Sequence, residues 1–320
     1  MKSQIKRSGL PFKIVLISAS LLSMAMTCAL TASAQDGSKG WVVDSKLPRG
    51  DGLAAAYISD ANIASHSAVI FADNFEVGEL TSRWDETSAG KALQFVDQTA
   101  EAAPVGNRSL KVTATLGENT GGGLTKWFES SDPLFIRFYT KFDPACDYVH
   151  HFCTLRANKS LQGSDRWSGF GGAGDLPNGD VRFSTAIEPW GNWGQWQPPG
   201  RWNFYSYWHT MKPSPDGKYW GNGFRPETQP NIERGKWICV EIMVKHNNPG
   251  KDDGEQAYWI DGELCGHWRG INWRTNPTLF ANAFTLESYV TDRWTKQREN
   301  IVYFDNVVIA DEYVGPSKAK

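Results

Sequence analysis

From Val69 onward the chain alternates between apolar and polar residues in short runs. They read "VIFADNFE", "SLKVTAT", "LFIRFYTKF", "HHFCTLRA", "DVRFSTAIEP", "WNFYSYWHTM", "KWICVEIMVKH", "EQAYWIDG", "NAFTLESYV" and "IVYFDNVVIA", each bounded by Gly, Pro, Asn or Asp. A period of two is the signature of half-buried strands, and no stretch carries the 3.6-residue period of a long amphipathic helix. Many short strands with turn residues between them predict an all-β fold: a two-sheet antiparallel β-sandwich or jelly roll forming a single domain. Asp261-Gly262 inside "WIDGEL" predicts a tight hairpin. The expected domain runs over 68–314, preceded by a Gly-, Asp- and Ala-rich extension over 35–67 and followed by a frayed tail, 315–320.

Strand parity sorts the polar residues into faces. Arg182, Ser184 and Glu188 share one face beside Trp190, opposite Val181, Phe183 and Ile187. Arg137, Tyr139 and Lys141 share a face of their strand. So do Asn203, Tyr205, Tyr207 and His209; Cys239, Glu241 and Lys245; and Glu287 with Tyr289. Merely solvated faces favour Lys, Glu, Thr and Ser, so the Tyr, His and Arg content points to a functional surface. The irregular stretches 157–180 and 189–235 hold Trp167, Trp190, Trp193, Trp196, Trp202, Trp208 and Trp220. Flat rings stack on the CH faces of sugars, and insertions of this kind sit at the rims of binding faces.

Residues 1–34 read as an export signal: a basic start (Lys2, Lys6, Arg7, Lys13), an apolar run over 14–30 and Ala32-Ser33-Ala34 as the cleavage site. Cleavage after Ala34 would take the net charge from −2 to −6 and leave no membrane span. The expected protein is secreted or periplasmic, monomeric and acidic, with no nucleic-acid partner. Export permits disulfides among Cys146, Cys153, Cys239 and Cys265. A local Cys146–Cys153 loop is favoured, Cys239–Cys265 is second, and free buried thiols are the alternative.

Other motifs fail for lack of context. "GFGGAG" matches a dinucleotide fingerprint, but "DLPNGD" after it cannot open a helix. There is no HExxH, CxxC or GxSxG, and consecutive His150 and His151 on a strand point to opposite faces.

The stretch "GKWICVEIMVKHNNPGKDDGEQAYWIDGEL" (235–264) resembles the strand–loop–strand hairpin of concanavalin-like jelly-roll enzymes. It is most similar to alginate and glucuronan lyases of the polysaccharide lyase 14 type. Those lyases carry a Ser-x-Arg pair, a Tyr-x-Tyr pair and an upstream lysine. Here Arg182-x-Ser184 has the reverse order, Tyr205-x-Tyr207 matches in form, and Lys141 or Lys159 stands for the lysine. The resemblance implies β-elimination of a uronic-acid polysaccharide with no catalytic cofactor. Arg182 would neutralise the carboxylate. Tyr205 or Tyr207 would move protons if nearby cations lower a phenol's pKa, with His209, His150 or His151 as the alternative base. Glu188 would orient Arg182 or a tyrosine. Arg137, Tyr139, His150, Arg156, Ser184, Trp190, Trp193, Glu241, Lys245 and Glu287 are expected to bind substrate. Related folds also suggest a structural Ca²⁺ held by Glu76 and Asp305.

Two other classes remain open. A glycoside hydrolase would need two carboxyls across one groove, from Glu188, Glu241 and Glu287. A non-catalytic carbohydrate-binding domain would need only the tryptophans.

Overall fold

The computed structural model describes residues 40–80, 82–97 and 105–318; the expected export signal lies outside them. Among the described residues, fifteen strands form two antiparallel sheets packed face to face. One sheet has the order β13 (Glu263–Ile271), β12 (Gly254–Ile260), β11 (Ile238–Lys245), β6 (Leu134–Phe142), β15 (Glu299–Ala310), β4 (Arg108–Thr115) and β3 (Leu93–Asp97), with β1 (Val69–Asp73) also pairing with β15. The other has the order β10 (Asn222–Phe224), β9 (Arg201–Tyr207), β8 (Arg182–Trp190), β7 (Thr154–Asn158), β14 (Ala281–Tyr289), β5 (Gly121–Trp127) and β2 (Glu86–Ser88). Helical structure among the described residues is confined to short 3₁₀ turns. The expected all-β jelly-roll sandwich is therefore the fold. Asp261 and Gly262 both take positive φ between β12 and β13, as a two-residue hairpin requires.

The core forms where the apolar parities of the two sheets meet. Phe138, Phe142, Phe152, Trp202, Phe284 and Phe304 make a network of ring contacts, all fully buried. The core also holds a polar bridge: Gln256 Oε1 lies 2.9 Å from Thr185 Oγ1 and 3.3 Å from Ser206 Oγ, while Gln256 Nε2 is buried without a partner.

The outer face of the larger sheet is not open to solvent. Residues 40–66 and the C-terminal stretch after β15 lie over it, and all nine residues of β6 are buried. The fully buried Arg137 guanidinium pairs with Asp60 of the N-terminal segment and donates to the Asn306 carbonyl. Glu241 accepts from Val314 N and Gly315 N at 2.7 and 2.8 Å, and Tyr139 Oη accepts from Ser317 N. Farther along the same face His267 bridges Ser45 and Glu255, which also pairs with Lys245.

These contacts correct several expectations. Arg137, Tyr139, Lys141, Glu241 and Lys245 lie on the larger sheet, away from any face shared with Tyr205 and Tyr207. Lys141 is buried over the Trp237 and Tyr303 rings. The expected disulfides are absent, and Cys146, Cys153, Cys239 and Cys265 are free thiols. Cys239 and Cys265 have β12 between their strands, about 10 Å by strand spacing, beyond the reach of a disulfide. Cys146 and Cys153 are buried in the core, with their sulfurs near the carbonyls of Asp147 and Glu287.

Candidate active site

The smaller sheet brings Arg156, Ser184, Glu188, Tyr205, Tyr207 and Glu287 together on its outward face. Register places Trp127, Ala283, Arg156, Ser184 and Tyr207 in one row across five strands. The next row holds Thr125, Thr285, Thr154, Ala186 and Tyr205. Beyond it lie Glu287 on β14 and, paired across β8 and β9, Glu188 and Asn203. Parity within each strand was legible in the sequence. Which strands are neighbours was not.

At the centre, His151 Nδ1 lies 3.4 Å from Glu188 Oε2. The His151 side chain is 42% exposed and the Glu188 side chain 10%, so the acid lies beneath an imidazole that faces the groove. Burial pulls the His151 pKa down, but the hydrogen bond and charge of Glu188, with the charge of Glu287, outweigh it and the net shift is upward. Burial also raises Glu188, which the contact with His151 opposes. Contrary to the expectation of opposite faces, His150 and His151 precede β7, where strand alternation does not apply, and their rings stack at 4.3 Å; burial together with the charge of His151 lowers His150 to about 4. One ring of the stack is thus held neutral while the other is biased toward the cation. Tyr289 flanks both rings.

The Tyr205 ring lies 5.9 Å from His151, and the Tyr207 hydroxyl donates to the Tyr205 hydroxyl at 3.3 Å. Burial raises both phenols above 10. A phenolate poised by neighbouring cations is therefore replaced by a pair of protonated hydroxyls, which can donate. Arg156 stands on the other side of the site. It donates to Thr285 Oγ1 at 2.6 Å and Glu287 Oε1 at 3.0 Å, and remains partly exposed.

Two expected catalytic residues lie outside this arrangement. Arg182 donates to the carbonyls of Gly171, Gly172 and Asp175, so its guanidinium fastens a loop beside Tyr207. His209 falls after the end of β9, where alternation stops, and packs near Gly179 and Thr275. Its pKa is lowered by burial.

The rim tryptophans divide. Trp202 is wholly buried in the core, whereas Trp167, Trp193 and Trp220 are exposed. Trp193 packs on Trp294. Trp190 faces the groove under the Arg225 guanidinium, 3.3 Å from the ring centroid, and Arg225 Nε reaches Asn203 Oδ1 at 3.4 Å. Burial lowers Arg225 to about 10, which leaves it cationic at neutral pH. The sequence reading missed Arg225 because "NGFRPE" lies in an irregular segment with no periodicity to assign it a face.

The chain matches no protein-family model and no curated protein sequence. Its structure, however, matches solved structures over most of its length. A marine PL-14 alginate lyase from Aplysia kurodai superposes with a TM-score of 0.58 at 12% identity, covering 76% of this chain and 99% of that one. The alginate lyase vAL-1 from Chlorella virus gives 0.53 at 17% identity, covering 71% and 92%. An endo-β-1,4-glucuronan lyase from the fungus Trichoderma reesei gives 0.50 at 17% identity, covering 78% and 100%. The shared feature is the fold, so the chain is similar in architecture to concanavalin-like polysaccharide lyases, as the 235–264 hairpin implied.

Proposed function

We propose that this protein is a polysaccharide lyase that cleaves a uronic-acid polymer by β-elimination in the groove of the smaller sheet. The observation that carries the reading is the placement of a Glu188-held His151, two hydrogen-bonded tyrosine hydroxyls and a partly exposed Arg156 on one face. The fold likeness to alginate and glucuronan lyases supports it. The reaction requires that a uronate carboxylate be neutralised, that a base take the C5 proton, and that the C4–O bond break as the C4–C5 double bond forms. The leaving oxygen must then receive a proton. Arg156 is suited to the carboxylate, since it is a cation with planar donors. His151, neutral above its raised pKa and turned by Glu188, is suited to the C5 proton. The Tyr205–Tyr207 pair is suited to protonating the leaving oxygen.

Incubation with alginate and polyglucuronate should generate the ultraviolet absorbance of a C4–C5 double bond. Tyr207→Phe and His151→Ala should each reduce turnover at least about a hundredfold while retaining substrate binding. Unchanged turnover in both variants would overturn the assignment. A hydrolase has one observation in its favour: Glu188 and Glu287 share the groove, and the charge of Glu287 contributes to the raised Glu188 pKa. Against it, Glu287 is engaged by Arg156 and Glu241 lies on the other sheet. Reducing ends formed without new absorbance would favour the hydrolase.

We also propose the structural Ca²⁺. Asp305 Oδ2 and Asn306 Oδ1 are buried without hydrogen-bond partners, and hard oxygen donors of this kind suit the ion. Glu76 would join them through the oxygen not used to accept from Asn107 N and Arg108 N. The ion would brace β15 in the larger sheet. A chelator should lower the melting temperature; an unchanged melting temperature would refute the ion.

A further inference from the structure

One end of the groove carries an aromatic and cationic platform that the chemistry above does not use. Trp127, at the end of β5, stands in the same row as Arg156. Its ring contacts Trp167 at 4.8 Å and Phe170 at 5.8 Å, and those two rings contact each other at 5.1 Å. Arg166 lies over Trp127 and Trp167 at 4.7 and 5.2 Å and pairs with Glu86 on β2. Arg156 lies 4.6 Å over Phe170, so the cation assigned to the reacting carboxylate also touches the platform.

Trp167 is 41% exposed and belongs to a cluster of rings whose loop is tied down by hydrogen bonds. The loop that bears Trp167 and Phe170 is pinned at both ends. Gly169 N donates to Asn158 Oδ1 at 2.8 Å, and Asn158 is bonded in turn to Asn282 through three hydrogen bonds, all buried. Lys159 N donates to Ser168 Oγ, and that hydroxyl donates to the Val181 carbonyl. A Cβ at Gly169 would come within 2.5 Å of the Ala157 carbonyl oxygen, so only glycine lets the loop lie this close to the strand. An exposed ring ordered before any ligand arrives is the arrangement that lowers the entropic cost of binding.

We infer that Trp127, Trp167 and Phe170, with Arg166, form a distal subsite for a uronate unit of a chain crossing the strands. The inference rests on reading the groove as a uronan site. The rings offer stacking faces for the CH side of a pyranose, and Arg166 can exchange its exposed partner Glu86 for a sugar carboxylate. The platform begins two strands from β7, about 10 Å by strand spacing. A ligand spanning both places must be an oligosaccharide, since a single sugar could not reach.

The test uses Trp167→Ala and Arg166→Leu, each checked by thermal melting, in electrophoresis through gels containing alginate, polyglucuronate or a neutral β-glucan. Wild type should be retarded by a uronan and not by the neutral glucan, and both variants should lose most of that retardation. Where unsaturated product forms, Trp167→Ala should raise KM about tenfold on long oligouronates, with kcat unchanged and trisaccharide kinetics unaltered. Retardation without turnover would leave the subsite standing and defeat the lyase reading. Variants retarded as strongly as wild type, retardation of wild type by the neutral glucan alone or by none of the polymers, or equal losses on short and long substrates would overturn the subsite.

Discussion

At the scale of single residues, His151 and Glu188 show how a local sequence pattern acquires chemistry only through its neighbours. Alternation in "DVRFSTAIEPW" put Glu188 on the polar face correctly. Its partner, however, comes from the segment just before β7, where His151 makes only an isolated bridge with Tyr289, and nothing in either stretch announces the pair. The functional consequence is a specific pH dependence. A base works in its neutral form, so kcat/KM should fall as pH falls through the His151 pKa, and that limb should lie above 6.5 because the net shift is upward. Glu188→Gln removes the charge that raises His151, and burial, the largest influence, then pulls the pKa down. The acid limb should move below its wild-type position. A limb that stays in place would mean that His151 is not the base or that Glu188 does not set it. Arg182 and His209 illustrate the opposite error. Residue type and parity nominated them, but one had its donors taken by loop carbonyls and the other lay past the last residue at which parity has meaning.

At the scale of elements, the misassignment of β6 and β11 has one physical cause. Alternation states that a strand has two faces but not which sheet it joins. The "LFIRFYTKF" polar parity belongs to the larger sheet, where the N-terminal segment and the residues after β15 cover it. A signal was present in the composition: Arg137 stands among residues too apolar for an open face, and a buried arginine demands a carboxylate. Asp60 supplies it from 77 residues earlier. Removing one partner of a buried ion pair strands the other charge, so Asp60→Ala should destabilise the protein by about 3–5 kcal/mol in urea unfolding while the groove keeps its residues. A loss within about 0.5 kcal/mol would show that the segment 40–66 does not anchor the face as described.

At the scale of the whole molecule, the two-sheet architecture was legible because it depends on period-two patterning and turn residues, which are local. The groove was legible only in part. Register across β5, β14, β7, β8 and β9 assembles it from segments lying between residues 121 and 289, and no property of one segment encodes those pairings. The result is a sandwich whose two outer faces have diverged. One is covered by residues 40–66 and the stretch after β15, and the other presents histidine, tyrosine, arginine and tryptophan to solvent. The open face is the one that can take a polymer. The central claim is that it breaks that polymer by elimination, and mass spectrometry of the products from alginate and polyglucuronate tests it most directly. The account predicts that each cut leaves a new non-reducing end lighter by one water than hydrolysis would leave, with no oxygen taken up from isotopically labelled solvent. Products bearing solvent oxygen at each new reducing end would contradict it.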